Sequence, residues 1–400
     1  MSTEITKEAT IGVLGAGTMG NGIAQVAAGA GHRVILLDAN AAVLDKARAI
    51  HHQVLDKLVA KGKLTPEAAK ANLSRIHYAA NLDAFAPCML VIEAIVEDLD
   101  VKRKVFAEIE RWVAADAVIA TNTSSLSVTS IAAACKQAER VLGVHFFNPA
   151  PLMPLVEIVP ALQTESTVVQ ATRQLIDGWG KATVLVRDTP GFIVNRVARP
   201  FYGESIRILE ERWHGVPEGP AGMATIDWAM KEFGGFRMGP FELMDMIGND
   251  INYTVTETVW KQTYHDPRYR PSLTQKRVVE AGRFGKKTGR GYYDYTNEAV
   301  MPEPVKDEAL GKKIVDRVVA MLINEAVDAL HMGIANRDDL ETAMTKGVNY
   351  PKGLLRWCDE LGADKVLNVL RGLRETYEED RYRPSVLLKQ MATSGQKFHA

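Results

Sequence analysis

Residues 10–40 read TIGVLGAGTMGNGIAQVAAGAGHRVILLDAN. Ile11 to Leu14 form a short apolar run of the kind that makes a buried strand. Gly15, Gly17 and Gly20 follow in the spacing G-x-G-x-x-G. A helical run then leads to a second apolar strand, Val34 to Leu37, which ends on Asp38. The three glycines differ in what they do physically. The first allows a tight turn, the second lets backbone approach a pyrophosphate, and the third lets helix and strand pack closely. The helix N-terminus offers free N–H groups and the positive end of its dipole to the phosphates. Asp38 lies 23 residues after Gly15, where an acid can bind an adenosine ribose 2′-hydroxyl. A carboxylate there repels a 2′-phosphate, and no Arg follows it directly. The stretch therefore predicts a dinucleotide-binding unit that favours NAD over NADP. A glycine-rich turn without a ligand and an FAD site are the competing readings of the same spacing.

The totals bound the rest. A chain of 400 residues suggests two or three domains and can bury a sizeable core. It carries 48 basic against 49 acidic residues, a formal net charge of -1. That excludes broad electrostatic binding to nucleic acid or membrane, though not a local basic pocket. Cys88, Cys135 and Cys358 have no C-x-x-C spacing and read as reduced, buried thiols of a cytoplasmic protein. The opening MSTEITKEAT lacks a signal-peptide pattern, and no apolar stretch is long enough to cross a bilayer. Histidines and carboxylates show no metal-ligand spacing, so no metal is expected.

After Asp38 the pattern turns helical. A break at Lys61-Gly62-Lys63 precedes Thr65-Pro66-Glu67, an N-cap followed by proline at the first helical position. Residues 41–74 thus read as a helical hairpin whose tip carries Lys57, Lys61 and Lys63. That tip is either a solvated charged surface or a clamp for a phosphate-bearing substrate. Cys88 to Ile95 and Val118 to Ala120 are further strands. The second ends in Thr121-Asn122-Thr123-Ser124-Ser125, where strand ends overlie a cofactor crevice; Ser124 or Ser125 could instead cap a helix. Two apolar runs follow, each with one ionisable residue: His145 in the first and Glu157, 12 residues later, in the second. The Pro-rich turn between them predicts a hairpin that brings imidazole and carboxylate together, as general base catalysis requires. The plainer alternative is a satisfied core histidine. Lys181 to Val186 closes the sheet, and the boundary of a 1–189 nucleotide domain falls at Asp188 to Phe192.

The remainder reads as helical and repeats itself. Asp227 through Asp245 matches the segment ending at Asp359 at an offset of 114, Arg268 to Ser272 recurs as Arg381 to Ser385, and Asn195-Arg196-Val197 recurs as Asp316-Arg317-Val318. The expected organisation is α/β then all-α: a Rossmann-type parallel-sheet domain, a helical domain over 190–296, a linker over 297–309 and a second helical copy over 310–400. The second copy has no nucleotide fold before it and reads as structural. The copies are expected to pack as partners do in a symmetric dimer, in a monomer or in a homodimer.

The segments GAGTMGNGIA, EAIVEDL, NTSSL, HFFNP, LVEIV, DTPGFIVNR, MGPFEL and FGKKTGRGYYDY resemble those of the L-3-hydroxyacyl-CoA dehydrogenase family, over nearly the whole chain. The doubled C-terminal region and RPFYGESIRILEE resemble its bacterial branch acting on 3-hydroxyadipyl-CoA in phenylacetate degradation. The resemblance implies NAD-dependent oxidation of an L-3-hydroxyacyl-CoA to a 3-oxoacyl-CoA. It places the catalytic base on His145 and its partner on Glu157, with Ser124 and Asn195 holding the substrate 3-oxygen. It places cofactor contacts on Gly15, Gly17, Thr18, Met19, Gly20, Asp38, Glu97, Lys102 and Asn122, and coenzyme A contacts on Lys61 and Asn148. Arg199, Arg207 and Arg237 are candidates to pair a distal substrate carboxylate, or are ordinary ion-pair residues. The rivals are a β-hydroxyacid dehydrogenase on a CoA-free substrate, which relies on a lysine or cysteine in the helical region, and a non-catalytic NAD-binding protein.

Overall fold

A sheet covered on both faces needs strands that are apolar throughout rather than alternating, and the first half of the chain supplies them in series. In the computed structural model, which describes residues 5–296 and 300–399, these runs become β1 (Thr10–Leu14), β2 (Val34–Leu37), β3 (Ile76–Ala79), β4 (Cys88–Glu93), β5 (Val118–Thr121), β6 (Val141–Phe146), β7 (Leu155–Pro160) and β8 (Ala182–Leu185). They pair in the order β3-β2-β1-β4-β5-β6-β7-β8. Every neighbouring pair is parallel except β6 with β7. Chain order reverses at β1 and β4, so the crevice beyond their C-terminal ends is where an open α/β sheet holds a ligand.

Six helices accompany these strands: α1 (Thr18–Gly29), α2 (Ala41–Ala60), α3 (Pro66–Arg75), α4 (Leu99–Trp112), α5 (Val128–Ala132) and α6 (Ser166–Gly178). Ile11, Val13, Ile23, Leu36, Ile92 and Val118 belong to the buried core. The hairpin of α2 and α3 starts its second helix as its sequence dictates, with Thr65 accepting from the Ala68 N–H at 3.2 Å and Pro66 at the first position. One alternative is decided and one strand is added. Neither Ser124 nor Ser125 caps a helix; Ser127 caps α5, accepting from the Ser130 N–H at 3.1 Å. β3 has no apolar run to announce it, because His77 and Tyr78 interrupt it, and as an edge strand it buries Ile76 alone.

The chain divides after Thr189 into two compact units. The second is helical: α7 (Val194–Val197), α8 (Arg199–Glu210), α9 (Gly219–Glu232), α10 (Pro240–Ile247), α11 (Asn249–Gln262), α12 (Leu273–Glu280), α13 (Glu308–His331), α14 (Arg337–Gly347), α15 (Leu354–Leu361), α16 (Ala363–Tyr377) and α17 (Val386–Ser394). The repeat is visible in its hydrogen bonds. Asp227 accepts from the Phe241 and Glu242 N–H groups at the start of α10; Glu341, 114 residues on, accepts from Leu355 and Arg356 at the start of α15. Asp245 accepts from Tyr292 and Tyr293; Asp359 accepts from Phe398 and His399. Both copies lie in one compact unit. The linker is shorter than its sequence suggested, since α13 begins at Glu308; residues 297–299 of it, like residues 1–4 and 400 at the chain ends, lie outside the described residues.

The copies join through a reciprocal exchange. Arg196 of the first copy reaches Glu325 of the second at 2.9 Å, and Arg317 of the second reaches Glu204 of the first at 2.6 Å. Each glutamate also accepts from the tyrosine of its partner's repeat motif, Tyr269 on Glu325 and Tyr382 on Glu204. This is the pattern of an isologous interface, built inside one chain.

Candidate active site

The turn from β1 into α1 explains its own glycines. Gly15 takes φ +95°, and a Cβ there would lie 2.5 Å from the Ala94 carbonyl oxygen. A Cβ at Gly20 would lie 1.8 Å from the Gly15 oxygen. The chain itself demands both. Gly17 differs, because a Cβ there would meet nothing within 4 Å. The space it leaves lies at the start of α1, which no side chain caps and no acid fills in the first turn. The N–H groups of Thr18 and Met19 and the positive helix end are therefore available to an anion. Asp38 accepts from the Ala16 N–H and from the Asn40 N–H, both at 2.9 Å. A carboxylate has about four lone-pair sites, so capacity for ribose hydroxyls remains. This donor and acceptor set fits NAD, with phosphates on the turn and ribose on Asp38.

Across the crevice an acid network organises the ends of β4 and β5. Glu93, fully buried, accepts from the Lys102 ammonium at 2.6 Å, the Ile95 N–H at 2.7 Å and the Thr121 hydroxyl at 2.8 Å. Lys102, only 1% exposed, also lies 3.3 Å from Glu97. It stands beneath the crevice as a bridge between two acids rather than at its surface. Glu97 accepts from the Thr123 hydroxyl at 2.6 Å, the Ser124 N–H at 3.0 Å and the Ser125 hydroxyl at 3.1 Å. Burial alone would raise its carboxyl pKa; the Lys102 charge and these donors outweigh burial and hold it below the usual value. The Ser124 hydroxyl is 3.4 Å from the same oxygen, too long for a firm O–H···O bond. The Asn122 side-chain amide oxygen accepts from the Phe146 N–H at 2.8 Å, tying the end of β5 to the end of β6.

β6 and β7 bring the two isolated ionisable residues together. In their antiparallel register His145 stands directly opposite Glu157. The imidazole Nδ1 is 2.7 Å from a Glu157 carboxylate oxygen, and both residues are buried. A carboxylate only accepts, so Nδ1 carries the hydrogen and the lone pair is on Nε2. The Phe147 ring packs 4.6 Å from the imidazole. This is the geometry that a general base and the group orienting it require.

Asn195 lies on α7 of the helical unit, half-buried, its side chain without a hydrogen-bond partner among the described residues. Asp316, its counterpart in the second copy, is 3.5 Å from Lys365. Lys57, Lys61 and Lys63 are all exposed at the α2–α3 tip, and none has an ion-pair partner among the described residues. Asn148 is exposed in the turn after β6. Sequence reasoning placed Thr121 and Thr123 at the crevice without their acid partners and missed Glu93. The signal was available for Glu93: like His145 and Glu157, it is an ionisable residue set into an apolar run.

Comparison with known proteins gives the family. The model for the 3-hydroxyacyl-CoA dehydrogenase NAD binding domain matches residues 10–189. The model for the C-terminal domain of the same family matches twice, over 191–295 and 314–398. The chain is 38% identical to 3-hydroxyadipyl-CoA dehydrogenase of Escherichia coli (strain K12), covering 96% of this chain and 97% of that protein. It is 39% identical to human mitochondrial hydroxyacyl-coenzyme A dehydrogenase, over 71% of this chain and 90% of that one. The crystal structure of 3-hydroxybutyryl-CoA dehydrogenase from Escherichia coli K12 superposes with a TM-score of 0.90 at 38% identity, covering 97% of this chain and 99% of that one.

Proposed function

Because the chain belongs to the 3-hydroxyacyl-CoA dehydrogenase family, we propose that His145 is the general base in NAD-dependent oxidation of an L-3-hydroxyacyl-CoA to its 3-oxoacyl-CoA. The observation that carries this is the buried 2.7 Å contact between Nδ1 and Glu157. His145 Nε2 takes the proton of the substrate 3-hydroxyl. Glu157 keeps the ring in the tautomer that presents Nε2 and favours the imidazolium that forms. Ser124 and Asn195 hold the 3-oxygen and so orient C3. When bound, the nicotinamide supplies the hydride acceptor for C3. The lysine tip at Lys61, together with Asn148, meets the coenzyme A moiety.

The named relatives act on 3-hydroxyadipyl-CoA and 3-hydroxybutyryl-CoA, so the test uses both thioesters with NAD and follows NADH absorbance. His145→Gln should bind NAD as wild type does and lose on the order of 10²–10⁴ in turnover. Near-wild-type turnover in that variant overturns the assignment. The CoA-free rival needs a reactive lysine or cysteine in the helical region. Cys358 is that region's cysteine, and burial pushes its thiol up to about 12, where it is inert. Faster turnover of free 3-hydroxy acids than of their thioesters would restore that rival. Among the described residues no helix is long and apolar enough to cross a membrane; with three buried free cysteines, this supports a cytoplasmic enzyme. The self-matched helical copies favour a monomer over a homodimer, which sedimentation distinguishes.

A further inference from the structure

Among the described residues five arginines are buried: Arg140, Arg196, Arg199, Arg317 and Arg381. Four have an acid within reach: Glu110 at 3.7 Å from Arg140, Glu325 at 2.9 Å from Arg196, Glu204 at 2.6 Å from Arg317 and Glu379 at 3.3 Å from Arg381. Arg199, 6% exposed, has none. A guanidinium keeps its proton in a protein, and an isolated buried charge is costly. The Arg199 Nη1 donates to the Thr256 hydroxyl at 3.0 Å and the Asn252 carbonyl at 3.4 Å, and the group lies over the Tyr202 ring at 5.0 Å. Its Nε is buried without a partner, and Nη2 has none among the described residues. That free edge of the fork is the one that pairs a carboxylate with two parallel hydrogen bonds.

A second unpartnered donor stands beside it. The Tyr350 hydroxyl is buried without a partner, in the electrostatic reach of Tyr202 and Arg199. Tyr350 also walls a cavity of about 300 Å³ that Phe201, Phe236 and Met238 line with it, and Arg237 stands at the same cavity. Arg207 is spoken for by Glu379 at 3.6 Å.

The spacing from Asn195 sets the length of the ligand. α7 runs into α8 through Ala198, whose backbone is also helical, so Asn195 and Arg199 share a face four residues apart. Four residues of helix rise about 6 Å. From C3 to the terminal carboxyl carbon of a 3-hydroxyadipyl chain are three bonds of about 1.5 Å each. A chain of that length, held at Asn195 by its 3-oxygen, matches the rise from Asn195 to Arg199 to within the reach of one side chain. We propose that Arg199, with Tyr350, binds the terminal carboxylate of a dicarboxylic 3-hydroxyacyl-CoA and sets the acyl-chain preference. This rests on the reading of Asn195 as a partner of the 3-oxygen.

The test begins with the wild-type enzyme. kcat/KM is measured for 3-hydroxyhexanoyl-CoA, 3-hydroxyadipyl-CoA and the terminal methyl ester of the latter, which keeps the chain and removes the charge. The free acid should exceed the ester and the plain chain by on the order of 10²-fold, the scale of one desolvated charge pair. In Arg199→Met that ratio should collapse by the same factor, with Arg199→Lys between; thermal melting confirms that each variant is folded. Equal rates on acid and ester in wild type, or an equal loss on all three substrates in Arg199→Met, overturns the proposal and leaves Arg199 as a brace between α8 and α11. Silence of the wild type on every thioester instead overturns the dehydrogenase reading beneath it.

Discussion

At the scale of single residues, the glycines of the first turn separate a demand of the fold from a demand of the ligand. Gly20→Ala forces a Cβ onto the Gly15 carbonyl oxygen, 1.8 Å away, and should lower the melting temperature or abolish folding. Gly17→Ala meets open space and should melt as wild type does, yet bind NAD more weakly by calorimetry. Equal melting losses in the two variants would show that Gly17 too is structural. Glu157→Gln makes the matching point for the base. An amide can donate to Nδ1 and so favour the wrong tautomer, so turnover should fall at least about 10²-fold while NAD affinity holds. These residues were legible in the sequence for a common reason: a glycine at fixed spacing, or an ionisable residue in an apolar run, needs an explanation. Glu93 met that criterion too. Ser124 did not, since its weak bond to Glu97 depends on loop geometry that no periodicity encodes. Lys102 entered only through the family resemblance, and its burial between Glu93 and Glu97 came from the packing of α4.

At the scale of elements, strands and caps were readable wherever composition was one-sided. β2 came out at its expected bounds, and Thr65-Pro66 starts α3. β3 was not readable, because an edge strand that buries one residue leaves no pattern. The cap of α10 is another element the chain order hides: Asp227 lies on α9, 14 residues before the N–H it accepts. Burial pushes this carboxyl up to about 7, against the hydrogen bonds from Phe241, Tyr293 and Glu242. In the unfolded chain the same group titrates near 3.9. Between those values the folded state holds a proton that the unfolded state has released, so raising the pH favours unfolding. The Asp227 contribution should be full below about pH 4 and lost by about pH 7, at up to about 1.4 kcal/mol per unit. Denaturant titrations of wild type and Asp227→Asn isolate it: their stability difference should shrink as pH rises through that window. A difference that grows with pH would mean that the two N–H donors win and the group stays ionised.

At the scale of the whole molecule, the duplication was legible as an offset of 114, yet the exchange that joins the copies was not. Glu204 and Glu325 are equivalent at an offset of 121, the offset of the N-R-V and D-R-V triplets, each eight residues after its copy's arginine; nothing in that spacing says that each glutamate meets the other copy's arginine. Their partners repeat as well: Arg196 and Arg317 sit in the N-R-V and D-R-V triplets, Tyr269 and Tyr382 in the R-Y-R-P-S segments. The physical consequence is coupling. Glu325→Gln removes the countercharge of Arg196, leaves Tyr269 at best a neutral amide oxygen to donate to, and leaves Arg268 with Asp266 and Asp328 alone as its acids. Breaking one member of a buried pair costs about 3–5 kcal/mol, more than a surface ion pair by several-fold. Because the exchange is reciprocal, the damage should not stay with the copy that carries the substitution. Amide hydrogen exchange should rise in α8 and α13 together in Glu325→Gln, and again together in Glu204→Gln. Exchange confined to one copy in either variant would show that the copies fold independently and that the reciprocal contacts are incidental. Replacing Arg196 and Glu325 jointly by Met and Leu should recover much of the loss, since a well-packed apolar pair avoids the desolvation that the charges incur.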